Sequence, residues 1–331
     1  MFKNKDIGID LGTANILIYV KGEGVVLSEP SVIALEKETG KVLAIGAKAH
    51  EMIGRTPGSV IAMKPLKDGV IADFDKTEIM LDYFIKKIKG KSLFSKPRIL
   101  ICCPSNITQV EKNAIKEAAE RTGGRKVFLE EEPKVAAIGA GMDISKPSGN
   151  MVIDIGGGTT DIAILSLGGV VSSSSIRIAG NALDNDIVKY IKDKYKLLIG
   201  ERTAEDIKIT IGTVFPGSRN EKMEVRGRDL VTGLPHTITL TSDEVEEALR
   251  ESVYTIIHAV KGILEQTPPE LSADIIDKGI VLTGGGALVD GFAQILSQEL
   301  KVPVFTAESP LTCVAEGTGI LLDNLYMLER Q

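Results

Sequence analysis

One pattern occurs twice in this chain and constrains its fold more than any other feature. The segments "DIGIDLGTANILIYV" (6–20) and "MVIDIGGGTTDIAIL" (151–165) each join an apolar strand, an Asp, a Gly-rich turn and a second apolar strand. A third strand is predicted after each segment, at 25–35 and at 170–178, and alternating strands and helices follow. A duplicated β-β-β-α-β-α unit predicts an α/β fold of two similar lobes with a cleft between them.

The turn-rich stretch "DISKPSGN" (143–150) is the best boundary between the two lobes. We therefore predict a first lobe over 1–145, with a small insertion at about 33–65, and a second lobe over 146–313, with an insertion at about 181–244. A C-terminal helix at about 314–331 is expected to pack on the first lobe.

Several elements carry specific local signals. Thr108 and Glu111 predict a capping box at a helix start, and 242–269 has apolar residues at helical spacing up to a Pro-Pro stop. The segment 223–240 predicts a hairpin. In the second half, strands at 279–282 and 302–306 flank a helix that starts at Asp290, and a last helix is predicted near 314–325.

The two Gly-rich turns predict phosphate binding. Backbone approaches a phosphate closely only where no Cβ intervenes, and successive N–H groups form an anion-binding nest. Asp10 and Asp154 enter these turns from strand ends, where carboxylates can hold Mg²⁺ through water. The alternative is a pair of ordinary tight turns in which Asp caps the backbone; one turn in each half makes that alternative weaker. Neither turn is a P-loop or a Rossmann fingerprint.

Three further segments have both a functional and a structural interpretation. The cluster "VLTGGGALVDGF" (281–292) suits a site beside adenosine, or a helix start without a ligand. Glu132, before Pro133, can orient a water molecule, or can belong to a solvated acidic run at 130–132. The polar residues at 203–206 can contact a ligand or cap the helix that follows.

Composition excludes several classes of protein. A net charge of −6 argues against a nucleic-acid partner. Three cysteines form neither a disulfide framework nor a zinc motif, and Cys102 and Cys103 read as inert core thiols of a cytosolic protein. No apolar run reaches the roughly 18 residues of a membrane span. The basic loop at 85–98 carries Leu93 and Phe94, which either insert into an anionic bilayer surface or fold back into the core.

Five segments together resemble motifs of the actin/sugar-kinase/DnaK-type ATPase superfamily. They are "IDLGTAN", "LEEEPKVAAIGAG", "IDIGGGTTD", "VLTGGGAL" and "CVAEGTGILL". Within that superfamily the chain resembles the MreB/Mbl family of bacterial actins, because "DIGIDLGTAN", "EPSVIAL", "SGNMVIDIGGGTTDIAI" and "GERTAEDIK" read almost identically. The resemblance covers essentially the whole chain.

This resemblance implies a duplicated ribonuclease-H-like (actin-like ATPase) fold around a nucleotide cleft. It implies ATP and Mg²⁺ as ligands, slow hydrolysis, and head-to-tail polymerisation into antiparallel double filaments. It also implies a cytoplasmic protein at the inner face of the membrane, where its filaments, with membrane proteins of the elongation machinery, scaffold wall growth and rod shape.

The resemblance also assigns roles to particular residues. Glu132 and Thr159 match the pair that orients the attacking water, and Asp161 stands where many relatives carry Glu. Leu93 and Phe94 match the membrane-inserting loop of the family. The nucleotide-binding positions are Gly12, Thr13, Ala14, Asn15, Gly156, Gly157, Gly158, Glu205, Asp206, Ile207, Lys208, Gly284, Gly285, Gly286, Ala287 and Leu288.

Two other functions on the same fold remain alternatives. A small-molecule (sugar-type) kinase would need a carboxylate aimed at a substrate hydroxyl and a polar, aromatic sugar-binding subdomain, and we identify neither in the sequence. A chaperone-type ATPase would need a peptide-binding domain after Leu325.

Overall fold

The computed structural model describes residues 6–89, 97–104 and 107–324. The chain divides into two compact units, and each is described here by itself. Unit 1 is Met1–Ser145 with Leu311–Gln331, and unit 2 is Lys146–Pro310.

Unit 1 contains the following helices and strands: β1 Ile7–Leu11, β2 Asn15–Val20, β3 Gly24–Pro30, β4 Ile33–Glu36, β5 Val42–Ile45, α1 Ala47–His50, β6 Val60–Met63, β7 Leu66–Lys67, β8 Val70–Ile71, α2 Phe74–Lys89, β9 Arg98–Cys103, α3 Gln109–Arg121, β10 Lys126–Glu131, α4 Glu132–Gly139 and, near the end of the chain, α10 Cys313–Asp323.

Unit 2 contains the remaining elements: β11 Asn150–Ile155, β12 Thr160–Ser166, β13 Gly169–Ile176, α5 Gly180–Tyr195, β14 Leu197–Leu198, α6 Glu201–Ile211, β15 Lys222–Asp229, β16 Pro235–Thr241, α7 Ser242–Glu265, α8 Pro269–Lys278, β17 Ile280–Thr283, a 3₁₀ turn Gly285–Leu288, α9 Phe292–Leu300 and β18 Val304–Thr306.

Each unit is built on a five-stranded mixed sheet, and the two sheets have the same topology. The strand orders are β10-β9-β1-β2-β3 and β18-β17-β11-β12-β13. In each sheet, three strands that follow one another in the chain (β1–β3 and β11–β13) pair antiparallel. The first of the three also pairs parallel with a later strand, β1 with β9 and β11 with β17. Separate three-stranded sheets, β5-β4-β6 in unit 1 and β14-β15-β16 in unit 2, lie outside these two sheets. The repeated sequence pattern therefore corresponds to a repeated topology.

The central strands explain why the repeated segments are so apolar. Every residue of β1 and of β11 is buried. A parallel-paired strand with both faces covered has no polar side, so it reads as a continuous apolar run rather than an alternating one. Against that background, an Asp near the end of such a strand is conspicuous.

The elements with strong local signals are confirmed. Thr108 and Glu111 form a reciprocal capping box at the start of α3. Helix α7 begins with a second capping box, formed by Thr241 and Glu244, and ends at Glu265, before the Pro-Pro pair. The predicted hairpin is β15–β16.

Two expectations about elements are wrong. The single strand expected at 25–35 is two strands, β3 and β4, which belong to different sheets, because the chain turns at Ser31. Pro30 cannot donate a ladder hydrogen bond, and the Ser31 N–H bonds to Ala14 instead. The helix expected from Asp290 begins at Phe292, because Gly291 adopts a left-handed conformation (φ 85°) at its N-cap.

Within unit 1, helix α10 packs closely on α4 and β1 through small residues. A Cβ added at Gly317 would overlap the carbonyl oxygen of Val135 in α4, and one added at Gly8 in β1 would overlap the side chain of Thr318. Glycine therefore allows the backbone of α10 to approach that of α4, and the Thr318 side chain to pack on β1, the strand that carries Asp10. Within the described ranges, no helix has both the length and the apolar character needed to cross a bilayer.

This packing predicts opposite effects for the same substitution in two helices. Gly317→Ala should lower the free energy of unfolding by roughly 2 kcal/mol, because overpacking outweighs the gain in helix propensity. Gly262→Ala in α7, where an added Cβ meets nothing within 4 Å, should raise it by about 0.5–1 kcal/mol. Urea denaturation of the two variants checks this, and a stabilising Gly317→Ala would contradict the packing described here.

Candidate functional site

The two Gly-rich turns have the same length and register. The last paired residues are Leu11 with Ile16 in β1–β2 and Ile155 with Thr160 in β11–β12. Each pair encloses a turn of four residues, which we call turn 1 (Gly12–Asn15) and turn 2 (Gly156–Thr159). Asp10 and Asp154 each precede the last paired residue of the first strand, and their exposed fractions are only 8% and 3%.

Turn 1 is held from the side of β3. The Ser31 hydroxyl donates to the Gly12 carbonyl oxygen at 2.7 Å, and the Ser31 N–H donates to the Ala14 carbonyl oxygen at 2.9 Å. The Thr13 hydroxyl is buried and accepts a hydrogen bond from the Gly69 N–H at 3.1 Å. These bonds engage carbonyl oxygens that would repel an anion, so the turn has a defined shape without a ligand.

Turn 2 is held by the start of α5. The Gly180 N–H donates to the Gly156 carbonyl oxygen at 3.1 Å, and the Asn181 N–H donates to the Gly157 carbonyl oxygen at 2.8 Å. Within the turn, the Gly156 N–H donates to the Thr159 carbonyl oxygen at 2.9 Å. Two more carbonyl oxygens are thus engaged by a helix N-terminus.

In unit 1 the parallel strand ends bring acidic groups together around Cys102. Asp10, Cys102 and Glu130 are register neighbours on β1, β9 and β10. Burial raises the pKa of the Cys102 thiol well above its usual range, and the nearby Asp10 and Glu132 carboxylates raise it further. Burial also raises the pKa of Cys103 to about 12. Both thiols therefore stay protonated near neutral pH and are unreactive, as expected of buried core thiols.

Asp10 shows the cost of placing a carboxylate here. Burial raises the pKa of Asp10 to about 7 from its ordinary value of 3.8. The charged form is therefore disfavoured until a counter-charge arrives, which suits a group that waits for a cation.

The acidic run at 130–132 is not a solvated face. The Glu130 carboxylate is buried and pairs with the Lys134 ammonium at 3.0 Å. Glu132 is half-buried at the first position of α4, with Pro133 in the first helical turn. The structural alternative for Glu132 therefore loses its basis, although its catalytic role stays a prediction.

In unit 2, two carboxylates and a hydroxyl lie side by side across the sheet. Asp154 pairs in register with Asp161 on β12 and with Thr283 on β17. All three residues are buried, as is Thr159 in turn 2. Register neighbours point to the same face of a sheet, so Asp154 and Asp161 present their carboxylates on one face.

These oxygen donors suit Mg²⁺, a hard cation that keeps several waters. In the described part of the chain, no three His, Cys, Asp or Glu side chains gather closely enough to ligate a metal directly.

The third glycine cluster lies against the strand that carries Asp154. Gly284 has φ 83°, and a Cβ there would overlap the Asp154 carboxylate and the Ile155 carbonyl oxygen. A Cβ at Gly286 would overlap the Ile155 side chain. Gly285 and Leu288 are exposed, whereas Ala287 is buried. Close packing against β11 therefore explains why glycine is required at positions 284 and 286, and it is compatible with a ligand at the exposed side of the cluster.

The segment 205–208 lies inside α6 and does not cap it, since the helix has Gly200 as its N-cap. Asp206 is exposed and Glu205 half-buried, whereas the Ile207 side chain belongs to the core. The Lys208 ammonium pairs with Asp184 at 2.7 Å. Of these four residues, Glu205 and Asp206 therefore reach the surface, whereas the Ile207 side chain does not.

Sequence reasoning missed Ser31, Gly180, Asp184, Lys134 and Thr283. Ser31, Gly180, Asp184 and Thr283 carry no local signal, because each acts through a contact with a distant part of the chain. Lys134 does have one, since its partner Glu130 is only four residues away. Leu93 and Phe94 lie outside the described residues.

Comparison with known proteins now decides the family. The sequence model of the MreB/Mbl protein family matches residues 4–330. The chain belongs to this family. It is 67% identical over 327 residues to the cell shape-determining protein Mbl of Bacillus cereus (99% of this chain, 98% of the relative). It is 52% identical over 332 residues to the cell shape-determining protein MreB of Escherichia coli (99% and 95%).

Solved structures agree with this assignment. The chain is similar to MreB5 of Spiroplasma citri bound to ADP, with a TM-score of 0.93 and 41% identity over 98% of this chain and 97% of that one. It is equally similar to the same protein bound to AMPPNP, with a TM-score of 0.94 and 98% of each chain covered. A MamK double helical filament shares the fold alone, at 22% identity and a TM-score of 0.81 over 97% and 99%. The predicted family and the α/β actin-like fold are confirmed.

The raised pKa of Asp10 predicts a pH-dependent effect of Asp10→Asn. Between about pH 4 and pH 7 the folded protein keeps a proton on Asp10 that the unfolded chain has released, so wild-type stability falls as pH rises. Asp10→Asn lacks this loss. Without nucleotide, the free energy of unfolding of the variant minus that of the wild type should therefore increase by about 2 kcal/mol from pH 5 to pH 8.

Urea denaturation at the two pH values measures this difference. Asp75→Asn, at an exposed position of α2, is the matched control and should follow the wild type. An excess stability that is the same at both pH values would contradict the account of Asp10.

Proposed function

We propose that this protein is an ATP-binding bacterial actin homologue that polymerises into membrane-associated filaments. These filaments would scaffold cell-wall elongation and maintain rod shape, with slow ATP hydrolysis. The single observation that carries the proposal is the matched pair of turns, one in each unit, that each follow a buried Asp.

In this proposal each of the two turns binds phosphate groups of ATP. Their carbonyl oxygens are engaged by Ser31, Gly180 and Asn181, which favours a phosphate over a cation at the backbone of the turns. Asp10 and Asp154 would hold Mg²⁺ through water, and the cation would neutralise phosphate charge. Support comes from the depth at which both carboxylates are buried and from the ADP and AMPPNP bound by the Spiroplasma relative.

Adenosine would lie against two segments of unit 2. The exposed residues Gly285 and Leu288 and the half-buried Glu205 are available to contact it. Gly284 and Gly286 would let this surface approach closely, since their missing Cβ atoms already leave room for β11.

Hydrolysis would depend on Glu132 and Thr159, which orient the attacking water. The Glu132 carboxylate stands at a helix N-terminus on a backbone that Pro133 stiffens, so its position is well defined. Asp161, beside Asp154, would add a further acceptor through a shorter arm than the Glu of many relatives.

Filaments and membrane contact complete the proposal. The names of the curated relatives, cell shape-determining proteins, and the double helical filament of MamK support self-association into filaments. A head-to-tail and antiparallel arrangement is part of the proposal because the family resemblance implies it. At the end of α2 the side chains of Lys86 and Lys87 are 71% and 48% exposed and pair with Asp82 and Glu29, and the segment with Leu93 and Phe94 follows in the sequence. Such cations each add about 1 kcal/mol at an anionic membrane surface. A cytoplasmic protein on the inner face, in contact with membrane proteins of the elongation machinery, is the proposed location.

Glu132→Gln tests the catalytic part of this proposal. The variant should bind Mg²⁺·ATP and sediment as polymer like the wild type, while its phosphate release falls by roughly 10²-fold. Glu131→Gln removes the same charge from the preceding residue and should leave phosphate release within about twofold. Equal rates in both variants would contradict the role of Glu132, and phosphate transfer to a sugar would favour the kinase alternative.

Leu93→Ser/Phe94→Ser tests membrane contact. The double variant should lose co-sedimentation with phosphatidylglycerol vesicles while it keeps ATP binding. Leu167→Ser, which removes a leucine that is 70% exposed elsewhere, is the control and should sediment normally. Undiminished sedimentation of the double variant would refute the membrane loop.

A further inference from the structure

We propose that Asp184 and Lys208 are positioning residues that fix turn 2 through the first turn of α5. The inference rests on the proposed function, since it takes turn 2 as a phosphate site. It gives a role to Asp184, which no motif contains, and a second role to Lys208, beyond its place in the segment expected against adenosine.

The contacts form a continuous path from α6 to turn 2. The Lys208 ammonium lies 2.7 Å from an Asp184 carboxylate oxygen and donates to the Gly180 carbonyl oxygen at 3.0 Å. Gly180 in turn donates its N–H to Gly156, and Asn181 donates to Gly157. The Asp184–Lys208 pair thus holds the Gly180–Asn181 peptide unit, whose N–H donates to Gly157, and the preceding unit donates to Gly156.

The start of α5 needs this support. Its N-cap residue, Ala179, provides no side-chain hydrogen bond. The first N–H groups of a helix require partners from outside the helix, and here the carbonyl oxygens of Gly156 and Gly157 serve that purpose. Turn 2 caps the helix while the helix orients turn 2, so displacement of one displaces the other.

Space at this point is tight. A Cβ added at Gly180 would lie 3.3 Å from the Gly156 carbonyl oxygen and 3.5 Å from the Lys208 ammonium. The side chains of Lys208 and Asp184 are only 10% and 12% exposed, so solvent does not replace their contacts. Because Asp184 neutralises Lys208, the effect on turn 2 is one of geometry more than of charge.

A purely structural role would tie α5 to α6 and nothing more. In that case, loss of the pair would lower the free energy of unfolding and weaken the binding of AMP, ADP and AMPPNP by the same factor. A positioning role predicts a loss that grows with the number of phosphates, because only the phosphates contact turn 2.

The test compares Asp184→Asn with Asp186→Asn in the full-length protein. Asp186 lies on the same helix and accepts a hydrogen bond from Ser252 of α7, so its variant removes a helix anchor away from turn 2. Affinities for AMP, ADP and AMPPNP with Mg²⁺ are measured by competition against a fluorescent ATP analogue. Hydrogen exchange at the Gly180 and Asn181 amides is measured without nucleotide.

For Asp184→Asn we expect AMPPNP affinity to fall by about tenfold, ADP affinity by less, and AMP affinity by under about twofold. The two amides should exchange faster than in the wild type. Lys208→Met should show the same increase of the loss from AMP to AMPPNP, on top of a loss common to all three nucleotides from its place in the adenosine segment, which keeps the test valid if one variant folds poorly. Asp186→Asn should change neither measurement.

Equal losses for all three nucleotides, or unchanged AMPPNP binding and amide exchange, would overturn the inference while leaving the proposed function intact. Failure of the wild type to bind AMPPNP would overturn the proposed function, and with it the role assigned to turn 2.

Discussion

A buried carboxylate at the end of a central strand, followed by a four-residue turn, is the constraint on which the rest of the structure depends. The strand must be apolar on both faces to sit in the sheet, yet Asp10 and Asp154 interrupt it where water is almost excluded. For Asp10 the penalty is visible as a pKa of about 7. In the proposed function, a bound cation compensates the charge of both carboxylates.

The two units share this constraint but support it differently. In unit 1, Ser31 at the junction of β3 and β4 holds turn 1. In unit 2, the start of α5 holds turn 2. Gly284, which follows β17, packs directly against the Asp154 carboxylate. Turn length and register are unchanged between the units, whereas the supporting elements differ. Such a pattern is expected when the ligand fixes the geometry of the turns and the remainder of each lobe diverges.

The sequence is sufficient to predict what depends on local chemistry. The Thr108–Glu111 capping box, the apolar face of α7 and the position of Asp10 and Asp154 at strand ends all follow from neighbouring residues. Tertiary contacts have no such signal. The bond from Gly180 to turn 2 and the Asp184–Lys208 pair join segments that are 24 residues apart in sequence, since 180 − 156 = 24 and 208 − 184 = 24. The turn at Ser31 is intermediate, because Pro30 is a local signal for the end of β3, whereas the bond from Ser31 to Ala14 in another hairpin has none.

The central proposal is that turn 1 and turn 2 each bind nucleotide phosphate. Amide hydrogen exchange of the full-length protein, with and without AMPPNP and Mg²⁺, tests it most directly. The account predicts slower exchange at Gly12–Asn15 and at Gly156–Thr159 together, over the same range of nucleotide concentration. Protection of one turn alone, or of neither when the nucleotide is bound, would contradict it.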